Sequence, residues 1–237
     1  MAIALIGGGR AGKAFEHGLS DAGHLVIGPL GRDEELPASA EVVLICVPDS
    51  AVRSVASEVA DGPLIGHCCG AHGLELLPRT PAFCLHPLMT LTGEPGELAG
   101  AFAAVDGSDE RSLEVARRIA SDLAMTPVQI ADADRAAYHA AASVASNFLL
   151  TLESAAESLA ASAGLPRDGL LPLVERTVAN WAASGAERSL TGPVARGDHA
   201  TVARQRSEIE TRLPEFLPLF DELCRATERL AATGART

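Results

Sequence analysis

Gly7, Gly9 and Gly12 stand in the spacing Gly-x-Gly-x-x-Gly within the stretch Ala2-Ile-Ala-Leu-Ile-Gly-Gly-Gly-Arg-Ala-Gly12. Where such a stretch joins a strand to a helix, each glycine has a task. The first allows a tight turn, the second lets backbone amides approach a pyrophosphate, and the third lets the helix pack closely on the strand. Gly7, Gly9, Arg10, Ala11 and Gly12 are therefore expected to hold the phosphates of a dinucleotide. Arg32 lies twenty residues past Gly12, where an acid would bind ribose hydroxyls and an arginine a 2′-phosphate. Asp33, Glu34 and Glu35 follow it and would repel a phosphate, and Asp33 could itself bind the ribose. A solvated turn over 32–35 is a third reading.

Other reactive side chains fall at places where a sheet would gather them. His67, with Gly70, and His86 end two expected strands, and strand C-termini form the ligand crevice of a parallel sheet. His139, Ser143 and Asn147 are spaced by four and four, which puts them on one face of a helix otherwise rich in alanine and leucine. A polar stripe of that kind must meet water, a partner or a substrate. Arg196, in Leu190-Thr-Gly-Pro-Val-Ala-Arg-Gly-Asp198, has the planar fork that clamps a carboxylate, or else serves an ion pair between helices. The cluster His67, Cys68, Cys69, His72, Cys84 and His86 invites a metal reading, yet none of the usual zinc-ligand spacings is present, and no metal is expected.

The elements that must position these groups follow from hydrophobic pattern and turn residues. Strands are expected at 2–6, 24–28, 41–47, 64–67, 82–86, 102–105 and 127–130, with helices at 13–22, 50–60 and 109–124. Val47, Pro48 and Asp49, at the end of the third of these strands, would flank the cofactor. After Asp132 the strand pattern stops. One long helix over 135–163, ended by Gly164, and further helices near 167–183, 199–212 and 215–232 complete the chain, with Asp198 placed to cap the third. The expected fold class is α/β: a Rossmann-type, mostly parallel sheet over residues 1–130, then an all-α domain over 131–237. Only eleven residues, Pro29 to Ser39, separate Gly28 from Ala40. They cannot hold the strand-helix-strand crossover of a full dinucleotide fold, so its third strand is expected to be deleted.

The 237 residues carry 19 basic and 31 acidic side chains, a formal charge of -12. That balance offers no field to gather nucleic acid. No segment has the length and hydropathy of a membrane span, and the N-terminus lacks a secretory pattern, so a cytoplasmic protein is expected. The five cysteines show no disulfide-framework spacing and should be reduced thiols.

Five stretches carry a family resemblance: Val47-Pro-Asp-Ser-Ala-Val52, 67–77 (HCCGAHGLELL), 86–91 (HPLMTL), 138–148 (YHAAASVASNF) and 190–198 (LTGPVARGD). Together they resemble oxidoreductases that join a Rossmann-like domain to a helical domain of unknown function, within the 6-phosphogluconate dehydrogenase-like superfamily. That group includes ketopantoate reductase and pyrroline-5-carboxylate reductase. The resemblance implies hydride transfer between NADP or NAD and a small carbonyl or imine, in a homodimer formed through the helical domain, with the stripe 139–147 against the cofactor crevice. Two departures stand out: the shortened segment after Gly28, and Cys69 where serine is common before Gly70.

Reduction of a carbonyl leaves an alkoxide that needs a proton. Members of the superfamily often use a lysine of the helical domain, but the sole lysine here is Lys13, beside the phosphate turn. His139 is therefore the expected acid, with Asn147 orienting the carbonyl and Ser143 as a further candidate. His67, Gly70, His86 and Arg196 would contact substrate. The expected cofactor is NADP in preference to NAD. Rival expectations are a nucleotide- or metabolite-binding regulatory protein without turnover, and a reductase using another hydride carrier such as a deazaflavin.

Overall fold

The computed structural model describes residues 1–31 and 34–234. Arg32 and Asp33, on which the ribose reading turned, lie outside the described residues. By its internal contacts the chain divides into two compact units, Met1–Ser146 and Asn147–Thr237.

The first unit is built on a seven-stranded sheet: β1 (Ala2–Ile6), β2 (Leu25–Leu30), β3 (Val42–Ile45), β4 (Leu64–His67), β5 (Ala82–Pro87), β6 (Phe102–Gly107) and β7 (Thr126–Gln129). Its strand order is β2-β1-β3-β4-β5-β6-β7. The pairs from β2 through β5 are parallel, β5 and β6 run antiparallel, and β6 and β7 are parallel again. The chain leaves β1, forms β2 on one side, and returns to form β3 on the other. Among the described residues no strand pairs outside β2, which is what the short 29–39 segment predicts. Pro29 sits within this edge strand, where a missing N–H breaks no central ladder.

Three helices cover the sheet: α1 (Arg10–Asp21), α2 (Asp49–Glu58) and α3 (Glu110–Asp122). Side chains alternate across each strand, so Ile3, Leu5, Val42 and Leu44 turn to one face with Phe15 and Leu19 of α1 and Ile119 of α3. Ala4, Val43, Ile45 and Ile65 turn to the other face with Val52 and Ala56 of α2. Every residue of β3 is buried, the signature of a strand covered on both sides. Each fully buried leucine, isoleucine or phenylalanine of these layers contributes about 1.5–3 kcal/mol.

Helix α4 (Arg135–Ser143) also belongs to the first unit, so the division falls later than the change from strands to helices near residue 130. The expected uninterrupted helix over 135–163 contains a π turn, Val144–Phe148, before α5 (Leu149–Ser162). The remaining helices of the second unit are α6 (Leu171–Ser184), the single-turn α7 (Ala186–Ser189), α8 (His199–Arg212) and α9 (Leu217–Gly234). Asp198 caps α8 as expected, accepting the Thr201 N–H at 3.0 Å. None of these helices is long and apolar enough to cross a membrane.

Candidate active site

The carboxyl ends of β1 and β3, where strand order reverses, hold the glycine turn. Gly7 adopts a φ of 109°, open to glycine without strain. Its N–H donates to the Leu30 carbonyl at 3.0 Å, and a Cβ there would lie 2.6 Å from the Cys46 carbonyl oxygen. Gly12 is tighter still, since its Cβ would stand 1.9 Å from the Gly7 oxygen. Gly9 is the N-cap of α1, with no side-chain cap, and a Cβ there would meet nothing within 4 Å. The first N–H groups of α1, at Arg10, Ala11 and Gly12, have no partner within the helix. An open backbone and unpaired donors at a helix N-terminus suit a pyrophosphate.

Beside this turn lies a cleft of about 1180 Å³, walled by Gly7 and Gly8, by Leu30 at the end of β2 and Gly31 after it, and by Val47 and Pro48 before α2. Asp49 opens α2. The described residues that follow β2 thus still wall this cleft. Glu34 and Glu35 line the same cleft, and Glu34 accepts the Gly31 N–H. Turn and cleft together fit a dinucleotide: residues 7–12 would hold the phosphates, and 30–31 with 47–48 the adenosine.

Further along the carboxyl edge, four residues of the first unit converge. A Cβ on Gly70 would stand 2.7 Å from both Cε1 and Nε2 of His86 and 3.0 Å from Cδ2 of His139. His86 Nδ1 lies 2.7 Å from the Tyr138 hydroxyl, with the two rings edge to face at 5.6 Å. Burial, aided by His139 and Arg135, pushes His86 down to about 4, so its imidazole is neutral at neutral pH. Burial raises Tyr138 to about 12. Below them Arg135, 2% exposed, donates through Nε to Asp132 at 3.2 Å and through Nη2 to the Cys84 sulfur. Its Nη1 is buried with no hydrogen-bond partner among the described residues. Burial also lifts the Cys84 thiol to about 12.

His67 plays another part than the one its position at a strand end implied. It is fully buried. Its Nε2–H donates to the Gly73 carbonyl at 2.8 Å, and Nδ1 accepts the Cys69 N–H at 3.1 Å. Both ring nitrogens are spent on backbone, leaving none for a substrate, and the ring fixes the 68–73 loop that carries Gly70. His72 pairs with Glu75 on the surface. Among the described residues no group of three or more His, Cys, Asp or Glu is placed to hold a metal ion.

The expected stripe on the long helix is divided. His139 is exposed beside Gly70, and Ser143 is half-buried in the last turn of α4. Asn147 falls in the π turn and belongs, with Arg196, to the second unit; both are exposed. Ser146 lies 3.1 Å from Thr90 through their hydroxyls. Tyr138 and Arg135 escaped the sequence reading, although Tyr138 is the sole tyrosine and directly precedes His139.

A family model, described as a domain of unknown function (DUF2520), matches residues 101–227. The chain belongs to this family. Among solved structures, a candidate NADP oxidoreductase from Bacteroides fragilis is 19% identical with a TM-score of 0.84, over 96% of this chain and 98% of that one. A Thermotoga maritima protein is 25% identical with a TM-score of 0.77, over 98% of each chain. The 1-pyrroline-5-carboxylate reductase of Streptococcus pyogenes is 17% identical with a TM-score of 0.64, over 100% of this chain and 99% of that one. At such identities the first and third share the fold: a Rossmann-like α/β sheet followed by a helical region. No curated protein matches the chain.

Proposed function

We propose that this chain is an NAD(P)H-dependent reductase of a small carbonyl or imine compound, with keto acids of the ketopantoate kind the best analogy. The observation that supports the reading is the glycine turn, where α1 packs so closely on the turn that a Cβ on Gly12 would lie 1.9 Å from the Gly7 oxygen, while the α1 terminus at Gly9 stays open to a pyrophosphate. Relatives of the same fold that are described as an NADP oxidoreductase and as pyrroline carboxylate reductases support it. NADP is favoured over NAD on the strength of Arg32, with Glu34 and Glu35 the groups that oppose a 2′-phosphate.

A bound dinucleotide would supply the hydride; the protein's own part is to orient the acceptor and meet its charge. Gly70 and His86 border the reacting group, and His139, exposed to water, supplies the proton that completes the alcohol or amine. Ser143 is a further candidate for that work. Asn147 and Arg196 retain the parts read from sequence, orienting the carbonyl and clamping a carboxylate. A homodimer through the helical region is supported by large apolar side chains left bare in the second unit, Leu150 and Leu173 at 65% and Trp181 at 59% exposure. A cytoplasmic setting, where NAD(P)H is supplied, suits the activity.

The test follows NADH and NADPH oxidation across a library of 2-keto acids, aldehydes and cyclic imines. At least one member should accelerate oxidation by tenfold or more, about 1.4 kcal/mol in the barrier. Dinucleotide binding without acceleration by any member would overturn turnover and leave a regulatory binding protein.

A further inference from the structure

We propose that Cys46 and Cys68 form an oxidisable pair beneath the phosphate turn: a hydroperoxide joins them in a disulfide, and the joined chain holds a dinucleotide more weakly. The bond stands apart from the reductase reading; its effect on the dinucleotide rests on that reading. Ile45 and His67 are register partners where β3 and β4 run parallel, and the Cys68 N–H continues the ladder to the Ile45 carbonyl at 3.2 Å. Cys46 and Cys68 are therefore neighbours one residue beyond the strand ends, at the spacing of about 4.8 Å between adjacent strands. That falls inside the roughly 4.4–6.8 Å between Cα atoms that a disulfide spans. Both side chains turn to the same face, Cys46 within the core layer under α1 and Cys68 packed on that layer. A hydrogen bond to Cys68, aided by burial, holds the Cys46 thiol well above the usual thiol range.

The other two thiols of the first unit are placed otherwise. Cys69 is buried in the opposite layer, and Cys84 accepts a hydrogen bond from Arg135. Cys46 is 7% exposed and Cys68 half-buried, so a hydroperoxide meets Cys68 first. The Cys68 thiolate takes the terminal oxygen of the hydroperoxide, whose O–O bond breaks. Cys68 becomes a sulfenic acid, and the leaving alkoxide takes up the thiol proton as an alcohol. The Cys46 sulfur then displaces the sulfenic hydroxyl, which departs as water with the Cys46 proton. Two thiols are oxidised and one hydroperoxide is reduced to alcohol and water. A disulfide brings its Cβ atoms to about 3.8 Å, closer than strand neighbours stand, so closure draws Cys46 toward β4. The glycine turn rests on Cys46: a Cβ on Gly7 would lie 2.6 Å from its carbonyl oxygen, and one on Gly12 3.7 Å from its Cβ. The turn that presents the phosphate donors therefore shifts with it.

Mass spectrometry of the full chain reads the bond after brief treatment with hydrogen peroxide and alkylation of the remaining thiols in the folded state. Two of the five thiols should resist alkylation, a proteolytic peptide should link Cys46 to Cys68, and dithiothreitol should release both. A link through Cys69 or Cys84, oxidation to sulfinic acid without a link, or thiols that all stay free would overturn the pair. Cys68→Ser should form no link, and Cys69→Ser should form it as the wild type does. Should either variant not fold, the wild-type peptide still decides. NADPH titrated into the oxidised chain should bind about tenfold or more weakly than into the reduced chain, with affinity restored by dithiothreitol. Equal affinity in the two forms would refute the effect on the turn. A Cys46–Cys68 link with NADPH bound by neither form would count against the dinucleotide and not against the pair.

Discussion

Gly12→Ala is expected to abolish dinucleotide binding and to lower stability at the same time. The added Cβ would lie 1.9 Å from the Gly7 carbonyl oxygen, a backbone atom that cannot swing aside. Gly7 is itself pinned by its hydrogen bond to Leu30 and by the nearby Cys46 carbonyl. Helix α1 must therefore back away from β1, at a cost of about 1–3 kcal/mol. For a chain of this size that lowers Tm by roughly 3–10 °C. The phosphate donors move with the helix, and affinity should fall at least tenfold, about 1.4 kcal/mol. Gly9→Ala separates the two effects. Its φ of -71° suits alanine and nothing lies within 4 Å of the new methyl, so stability should hold. That methyl would still occupy the open side of the turn, and binding should weaken. Calorimetric titration with NADPH and a thermal melt of each variant check both halves.

The second large effect is on turnover. Gly70→Ala puts a methyl 2.7 Å from the His86 ring and 3.0 Å from His139, and both imidazoles must shift. Displacing reacting groups by about an ångström costs on the order of 10²-fold in rate. The variant should lose that much kcat on any carbonyl compound the wild type reduces, with dinucleotide Kd unchanged. His139→Ala, by removing the proposed proton donor, should cost roughly 10²–10⁴-fold in kcat with the same retention of binding. Full turnover in both variants would move the reaction away from this crevice.

What the sequence disclosed depended on how local its cause was. β4 (Leu64–His67) and α8 (His199–Arg212) match their expected bounds because each is framed by local signals, an apolar run in one case and the Asp198 cap in the other. The deleted strand was legible from chain length alone. The π turn at Val144–Phe148 was not, since an alanine-rich stretch has the same propensity whether one residue is inserted into the hydrogen-bond ladder or not. Nor was the antiparallel run of β6 against β5, which depends on the path of the 88–101 connection.

The site was half legible for the same reason. Gly7, Gly9 and Gly12 lie within one turn, so their spacing was enough to foretell the tight strand-to-helix turn they form. His67 and His86 occupy equivalent strand ends, yet one is spent on Gly73 and Cys69 while the other faces Gly70. Nothing in the neighbouring residues separates them. The partner that distinguishes His86 is Tyr138, 52 residues away in sequence, and only packing of α4 on β5 brings them together.

The central claim is that the turn at residues 7–12 holds a nicotinamide dinucleotide, and titration calorimetry of the wild-type chain with NADPH and NADH tests it most directly. One saturable site per chain is expected for at least one of the two, lost in Gly12→Ala. Absence of binding by both at millimolar concentration, where even an affinity of about -4 kcal/mol would register, would contradict it.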